Sequence, residues 1–258
     1  MADAMPYYWT YGDHRAPLLL CLHGIGSCAD AFTPQIPLAS RVGRLIAAWD
    51  APGYRHSPDP ATEPGLDGWA DAAAALVDEL GGGRADVLGV SWGGVTATRL
   101  ALRHPAKVRS LILADSSVGA GTSPEQAEAM RSRAGALTEA GPEAFARDRA
   151  PVLVNRAASP ALIDSVARLM SDSVRMPPYQ WACNSMAEAD HRPDLPSIAV
   201  PTLVIVGDED TVTGPRAAGV LADGIPGARL VTIAGAGHLA NQERAEPFND
   251  AVAEFLAA

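Results

Sequence analysis

Gly89-Val90-Ser91-Trp92-Gly93 stands between an apolar run, Ala85-Asp86-Val87-Leu88, and a helical stretch from Val95 to Arg103. A strand that turns into a helix within five residues leaves almost no room for side chains at the turn. Glycine at 89 and 93 removes the clashes that would block it, and Gly94 adds further room. The hydroxyl of Ser91 then stands clear of the backbone. The helix that follows aims its free N–H groups and its partial positive charge at the same place. A glycine-rich turn whose serine merely caps a helix has the same pentapeptide, so the rest of the chain decides between the two.

Three other apolar runs end in chemically equipped loops. Val200-Pro201-Thr202-Leu203-Val204-Ile205-Val206-Gly207 reads as a buried strand and ends in Asp208-Glu209-Asp210. Ala228-Arg229-Leu230-Val231-Thr232-Ile233 runs into Gly235-Ala236-Gly237-His238. In a parallel sheet these loops and the Ser91 turn gather at the carboxyl ends of the strands, where open α/β sheets bind ligands. Serine, acid and histidine, in that chain order, are the parts of a nucleophile, its base and the group that orients the base. The third run, Pro17-Leu18-Leu19-Leu20-Cys21-Leu22, opens into His23-Gly24-Ile25-Gly26. Acyl transfer needs two backbone donors aimed at a developing oxyanion. The amide of Trp92 supplies one, and the early loop supplies the other through Ile25. His23 is read as a brace for its own loop.

The remaining chain alternates in the same way. Arg44 to Asp50 is a strand that ends in a Pro-Gly turn, and Val108 to Ala114 is another. Gly68 to Leu80 repeats apolar residues at helical spacing and is stopped by Gly81-Gly82-Gly83. The last helix spans Glu246 to Leu256. Strands alternating with helices of this length predict a mostly parallel α/β sheet. Between Val118 and Ile198 the strand pattern vanishes. Four helices are predicted instead, Pro124 to Leu137, Pro142 to Asn155, Pro160 to Asp172 and Pro178 to Ala189, each with proline near its start, where a missing N–H costs nothing. Some 80 residues are too many for a plain loop.

His23-Gly24-Ile25-Gly26, Asp50-Ala51-Pro52-Gly53, the Ser91 pentapeptide, Gly207-Asp208-Glu209-Asp210 and Gly237-His238 together resemble the α/β-hydrolase superfamily. Within it the chain is similar to compact bacterial esterases and 3-oxoadipate enol-lactonase-like hydrolases. The resemblance implies an α/β-hydrolase fold with a core over residues 1–117 and 199–258 and a helical cap over 118–198, inserted after the strand ending near Ala114. It places the acid on Asp210 rather than Asp208. Some relatives carry it where Asp115 stands, but Asp210 has the stronger motif. Only Tyr7 to Tyr11 precedes the strand at residue 17, where the family usually has two strands, so a sheet of about seven strands is expected. Arg55 stands where the family often has glycine; a positive φ would strain arginine there, and the loop is expected to run differently.

The catalytic set read from the sequence is therefore Ser91, Asp210 and His238, with Ile25 and Trp92 as the oxyanion hole. Tyr179, Trp181 and Met186 are candidate substrate contacts in the cap, alongside Met170 and Met176. The expected reaction is hydrolysis of a small carboxylic ester or lactone through an acyl-enzyme on Ser91, with no cofactor. Carbon–carbon hydrolysis of a diketone-type substrate by the same residues is the alternative, as is a slow-turnover small-molecule receptor. The chain of 258 residues is 48% hydrophobic with a net charge of -10. That supports a large core and argues against nucleic acid or an anionic membrane as partner. Cys21, Cys28 and Cys183 lack metal-binding spacing, and no metal site is predicted. No signal peptide or membrane span is recognised, so a cytoplasmic location is expected. Nothing in the pattern sets an oligomeric state.

Overall fold

Seven short apolar runs carry the sheet: β1 (Tyr8–Tyr11), β2 (Leu18–Leu22), β3 (Leu45–Trp49), β4 (Ala85–Val90), β5 (Val108–Ala114), β6 (Thr202–Gly207) and β7 (Arg229–Ile233). They are seen in a computed structural model that describes residues 5–80 and 83–257. The strand order is β1-β3-β2-β4-β5-β6-β7. β1 runs antiparallel to β3, Tyr8 opposite Trp49, and every other pair is parallel. The expected sheet of seven strands is thus present, trimmed at the edge that β1 closes.

β2, β3, β4 and β6 are buried along their whole length, while the edge strand β7 exposes Arg229, Leu230 and Thr232. That contrast explains the patterning. A strand covered on both faces has no reason to alternate polar residues, so it reads as a continuous apolar run. Alternate residues serve opposite layers. Leu18, Leu20 and Leu22 join a core with Trp49, Trp69 and Trp92, and Leu19 and Cys21 join one with Phe32, Leu38, Phe248 and Val252.

The layers are built by helices that follow the strands: α1 (Leu38–Arg41), α2 (Gly65–Glu79) and α3 (Trp92–Arg103), and, between β5 and β6, α4 (Pro124–Arg131), α5 (Arg133–Leu153), α6 (Pro160–Ser173) and α7 (Pro178–Glu188). After β6 come α8 (Gly214–Gly224), α9 (Ala240–Glu243) and α10 (Ala245–Ala257). Gly81 and Gly82 of the expected glycine stop after α2 lie outside the described residues. The predicted helix from Pro124 to Leu137 is two helices. Ser132 turns its hydroxyl back onto the Ala129 carbonyl at 3.0 Å, a local bond that competes with helix continuation. α5 then runs on past its predicted end, broken at Gly141, where φ is 76° and ψ is 162°. Pro142 restarts it, as expected. Ser123 and Ser159 cap α4 and α6 by accepting the amides of Gln126 and Leu162.

Arg55 adopts a positive φ of 37°, so the loop after Asp50 keeps the left-handed residue that a glycine would supply. The expectation of a different course is corrected here. The cost of the conformation is offset by three anchors. Arg55 Nη1 donates to Asp30 at 2.6 Å and to Cys28 Sγ at 3.1 Å, and its amide donates to the Ser173 carbonyl at 3.3 Å.

Leu113 lies in β5 with none of its surface exposed, whereas Val152 on α5 is 48% exposed. Leu113→Ala is expected to lower the unfolding free energy by about 2–5 kcal/mol in urea titration. Val152→Ala is expected to stay within about 0.5 kcal/mol of wild type.

Candidate active site

The turn after β4 holds Ser91 at φ 55° and ψ -118°, a strained region that costs an L-residue on the order of 1–3 kcal/mol. Its surroundings enforce the conformation. A β-carbon on Gly93 would drive into the carbonyl of Leu22 at the end of β2, one on Gly89 into the backbone of Gly93, and one on Gly94 into Ser116. The Ser91 amide donates to the Ala114 carbonyl at 2.9 Å, and Ser116 Oγ donates to the Ser91 carbonyl at 2.8 Å. The steric reading of the pentapeptide therefore has specific backbone atoms behind it.

Because β2, β4, β6 and β7 are parallel, the loops that follow them share one edge. There Ser91 Oγ lies 2.9 Å from His238 Nε2, and His238 Nδ1 lies 3.0 Å from Asp210 Oδ2. For Nε2 to accept the serine hydroxyl, Nδ1 must carry the proton and donate it to Asp210. Asp210 is only 5% exposed. Burial opposes its ionisation, but the hydrogen bond and charge of His238, with donors from Thr213 and Gly214, outweigh it and hold the carboxyl well below the usual carboxylate range. Its Oδ1 accepts the Val212 amide at 2.7 Å, and Thr213 Oγ1 donates to Oδ2 at 2.7 Å. Thr213 was not singled out from the sequence. Its position, three residues after the acid, is the offset of a side chain that closes a turn on its own loop.

The loop after β2 is braced as expected. His23 Nδ1 donates to the Gly24 carbonyl at 2.8 Å, and Nε2 accepts the Ala51 amide at 3.0 Å. Burial pushes its imidazole below the usual range, so it stays neutral in this role. Tyr54 Oη donates to the Ile25 carbonyl at 2.8 Å, fixing the peptide on one side of Ile25. Trp92 is the first residue of α3, where an amide has no intrahelical acceptor. Both Ile25 and Trp92 line cavities that open on Ser91.

Two cavities meet at Ser91. One of about 60 Å³ takes in Ile25 and His238 from the core and Arg149, Met170 and Tyr179 from the helices between β5 and β6. A wider cleft of about 500 Å³ adjoins Trp92, Met186, Thr213 and Arg216. Tyr179, Met170 and Met186 are thus brought to the serine. Trp181 is not, and Met176 is exposed. Helical geometry accounts for the correction. Tyr179 and Met186 are seven residues apart on α7 and share a face, whereas two residues separate Trp181 from Tyr179 and turn it well away. Arg133 and Arg149 were missed. Arg149 follows Phe145 by four residues, so it shares that buried face, and this spacing was the available signal. Among the described residues no cluster of histidine, cysteine and carboxylate groups suits a metal ion, and no helix is long and apolar enough to cross a membrane.

Asp115 follows β5 at φ 45°, and the His238 ring hydrogen-bonds Asp210 rather than Asp115. Its oxygens accept the amides of Gly207 at 2.9 Å and Ala240 at 3.0 Å, tying the end of β6 to the loop beyond His238. Burial, against the charge of His238 and these two donors, pushes its carboxyl up to about 7.

The sequence profile described as the alpha/beta hydrolase fold matches residues 17–245. The chain belongs to the α/β hydrolase family. Within the family it is 29% identical to 3-oxoadipate enol-lactonase 2 of Acinetobacter baylyi, over 97% of this chain and 92% of that one. It is 31% identical to a pimeloyl-[acyl-carrier protein] methyl ester esterase of Neisseria meningitidis, over 91% of both. Among solved structures, the enol-lactonase from Burkholderia xenovorans LB400 superposes with a TM-score of 0.86 at 28% identity, covering 98% of this chain and 96% of that one. The family resemblance drawn from the motifs is therefore correct.

Two outcomes are expected of this α/β hydrolase. Gly93→Ala should destabilise the fold by about 3 kcal/mol or more, because backbone on both sides must move; thermal unfolding measures it. Asp115 holds its proton to higher pH folded than unfolded, so stability should fall as pH rises from about 4 to about 7. In Asp115→Asn that contribution is gone. The stability gap between the two proteins, measured by urea titration across this range, should narrow toward neutral pH.

Proposed function

We propose that the protein hydrolyses carboxylic esters or lactones through an acyl-enzyme on Ser91. One observation carries this reading: the unbroken contact from Ser91 Oγ through His238 to a buried, ionised Asp210, beside a cavity. The ester and lactone bonds named for the two curated relatives support it.

His238 Nε2 takes the Ser91 proton as Oγ bonds to the carbonyl carbon. The amides of Ile25 and Trp92 receive the oxyanion, and such a donor is worth ~3–4 kcal/mol in comparable sites. Collapse breaks the bond to the leaving oxygen, which takes the proton back from His238. Water then gives a proton to His238 and attacks the acyl carbon, and the departing Ser91 Oγ is reprotonated. Asp210 keeps its charge throughout and stabilises the imidazolium. Residues 118–198 act as a cap: α5, α6 and α7 wall the cavity and exclude water from the acyl-enzyme. Trp92 Nε1 donates to Ser185 Oγ on α7 at 3.1 Å, which helps seat that wall over the serine.

Steady-state turnover of a panel of p-nitrophenyl esters and simple lactones tests the reading. Ser91→Ala should lose about 10⁵–10⁶-fold in kcat, and Asp210→Asn about 10⁴-fold, with the fold intact by circular dichroism. Turnover that survives in Ser91→Ala would overturn it.

A further inference from the structure

The cavity beside Ser91 is basic in an acidic protein. The chain has 30 acidic against 20 basic residues, yet no aspartate or glutamate lines either cavity that meets Ser91. Arg133 lines both, Arg149 the narrower and Arg216 the wider. Among the described residues Arg133 and Arg149 form no ion pair, although twelve other contacts join arginine or lysine to carboxylates and three pair histidine with one. Both guanidinium-bearing residues line the narrower cavity. Burial, then the charge of Arg133, make Arg149 less willing to hold its proton. Both also act on the hydroxyl of Tyr179 in the same wall.

Two like charges kept in a cavity without a counter-charge destabilise the empty protein. A ligand that brings the missing negative charge removes that cost. The narrower cavity already contains the serine and the histidine, so an acyl chain held on Ser91 extends toward Arg149. A leaving alcohol departs through the wider cleft. The guanidinium fork fits a planar carboxylate with two parallel hydrogen bonds, and about 60 Å³ suits a short chain.

We propose that Arg149, with Arg133 beside it, seats a carboxylate at the far end of the acyl group, so that the preferred substrates are half-esters of short dicarboxylic acids. This assignment rests on the reading of Ser91 as the nucleophile. Arg149 is a specificity-determining residue here, in contact with a part of the substrate remote from the bond that breaks.

The experiment has two arms, so that the two readings fail separately. In the first, kcat/KM is compared for monomethyl glutarate and for methyl hexanoate, its neutral match in length. Wild type should favour the half-ester on the order of 10- to 100-fold. That ratio should collapse in Arg149→Met and fall in Arg133→Gln, with Arg149→Lys retaining part of it; the rise should lie chiefly in KM. Equal rates for the two esters in wild type, or a preference undiminished in both Arg149→Met and Arg133→Gln, would overturn the proposal. In the second arm, glutarate is titrated into Ser91→Ala and unfolding is followed. Glutarate should raise the Tm and the neutral diamide of glutaric acid should not, with the shift lost when Arg149→Met is added. A shift in Ser91→Ala without any ester turnover in wild type would keep the anion site and reject the hydrolase reading. Turnover of both esters with no glutarate shift would do the reverse. Should Arg149→Met fail to fold, Arg133→Gln and Arg149→Lys carry both arms.

Discussion

The site hangs on the approach of α3 to the end of β2. Gly93 lies so close to the Leu22 carbonyl that no side chain fits between them. The helix that presents Ser91 therefore rests on the strand that presents Ile25. One close contact fixes the serine, the first amide of α3 and the early loop relative to each other. The strained φ of Ser91 is the consequence, since no relaxed turn joins β4 to a helix held that near. Parallel pairing then does the rest. β6 and β7 continue the sheet beyond β5, so their loops bring Asp210 and His238 to the same edge at hydrogen-bonding distance.

Much of this was legible because the sheet is internal. Strands buried on both faces appear as uninterrupted apolar runs, and each ends where glycine, aspartate or histidine begins. The elbow could be read because its glycines answer a steric demand that is local in sequence. What was not legible is what faces the cavity. Trp181, a large aromatic in a helix over the site, seemed a natural lining residue, yet its side is set by two residues of helical rotation. Arg149 drew no attention in the sequence, and its side of the helix became clear only once Phe145, four residues earlier, proved to be buried. The break at Ser132 turned on a hydroxyl bond to Ala129 that composition does not reveal. Arg55 could be placed in a left-handed turn only once Asp30, Cys28 and Ser173 were seen to hold it.

The helices between β5 and β6 do more than roof the cavity. The His238 amide donates to the Leu153 carbonyl at 3.0 Å, at the end of α5, and Asn155 Nδ2 donates to the Gly235 carbonyl at 2.7 Å. Glu243 accepts the amides of Gly237 and Asn155 together, at 2.9 and 2.7 Å. The histidine loop is thus held between the sheet, through Asp115 and Ala240, and the inserted helices, through Leu153 and Glu243. A shift of α5 would move Arg149 and His238 as a unit, so the proposed substrate wall and the proposed base would be mechanically linked.

Electrostatics divides the same region into two compartments. Asp210 is enclosed by the amides of Val212, Thr213 and Gly214 and by the Thr213 hydroxyl, with His238 between it and Ser91. Its negative charge is matched locally and does not offset the arginines across the cavity. The field at the cavity is therefore positive on the side where the proposed acyl transfer would create negative charge. In the proposed reaction a field of that sign, fixed before the substrate arrives, would need no reorganisation when the oxyanion forms and would act in the same direction as the amides of Ile25 and Trp92. The same arginines that would seat an anionic acyl chain in the ground state thus also favour the charge that develops at its other end.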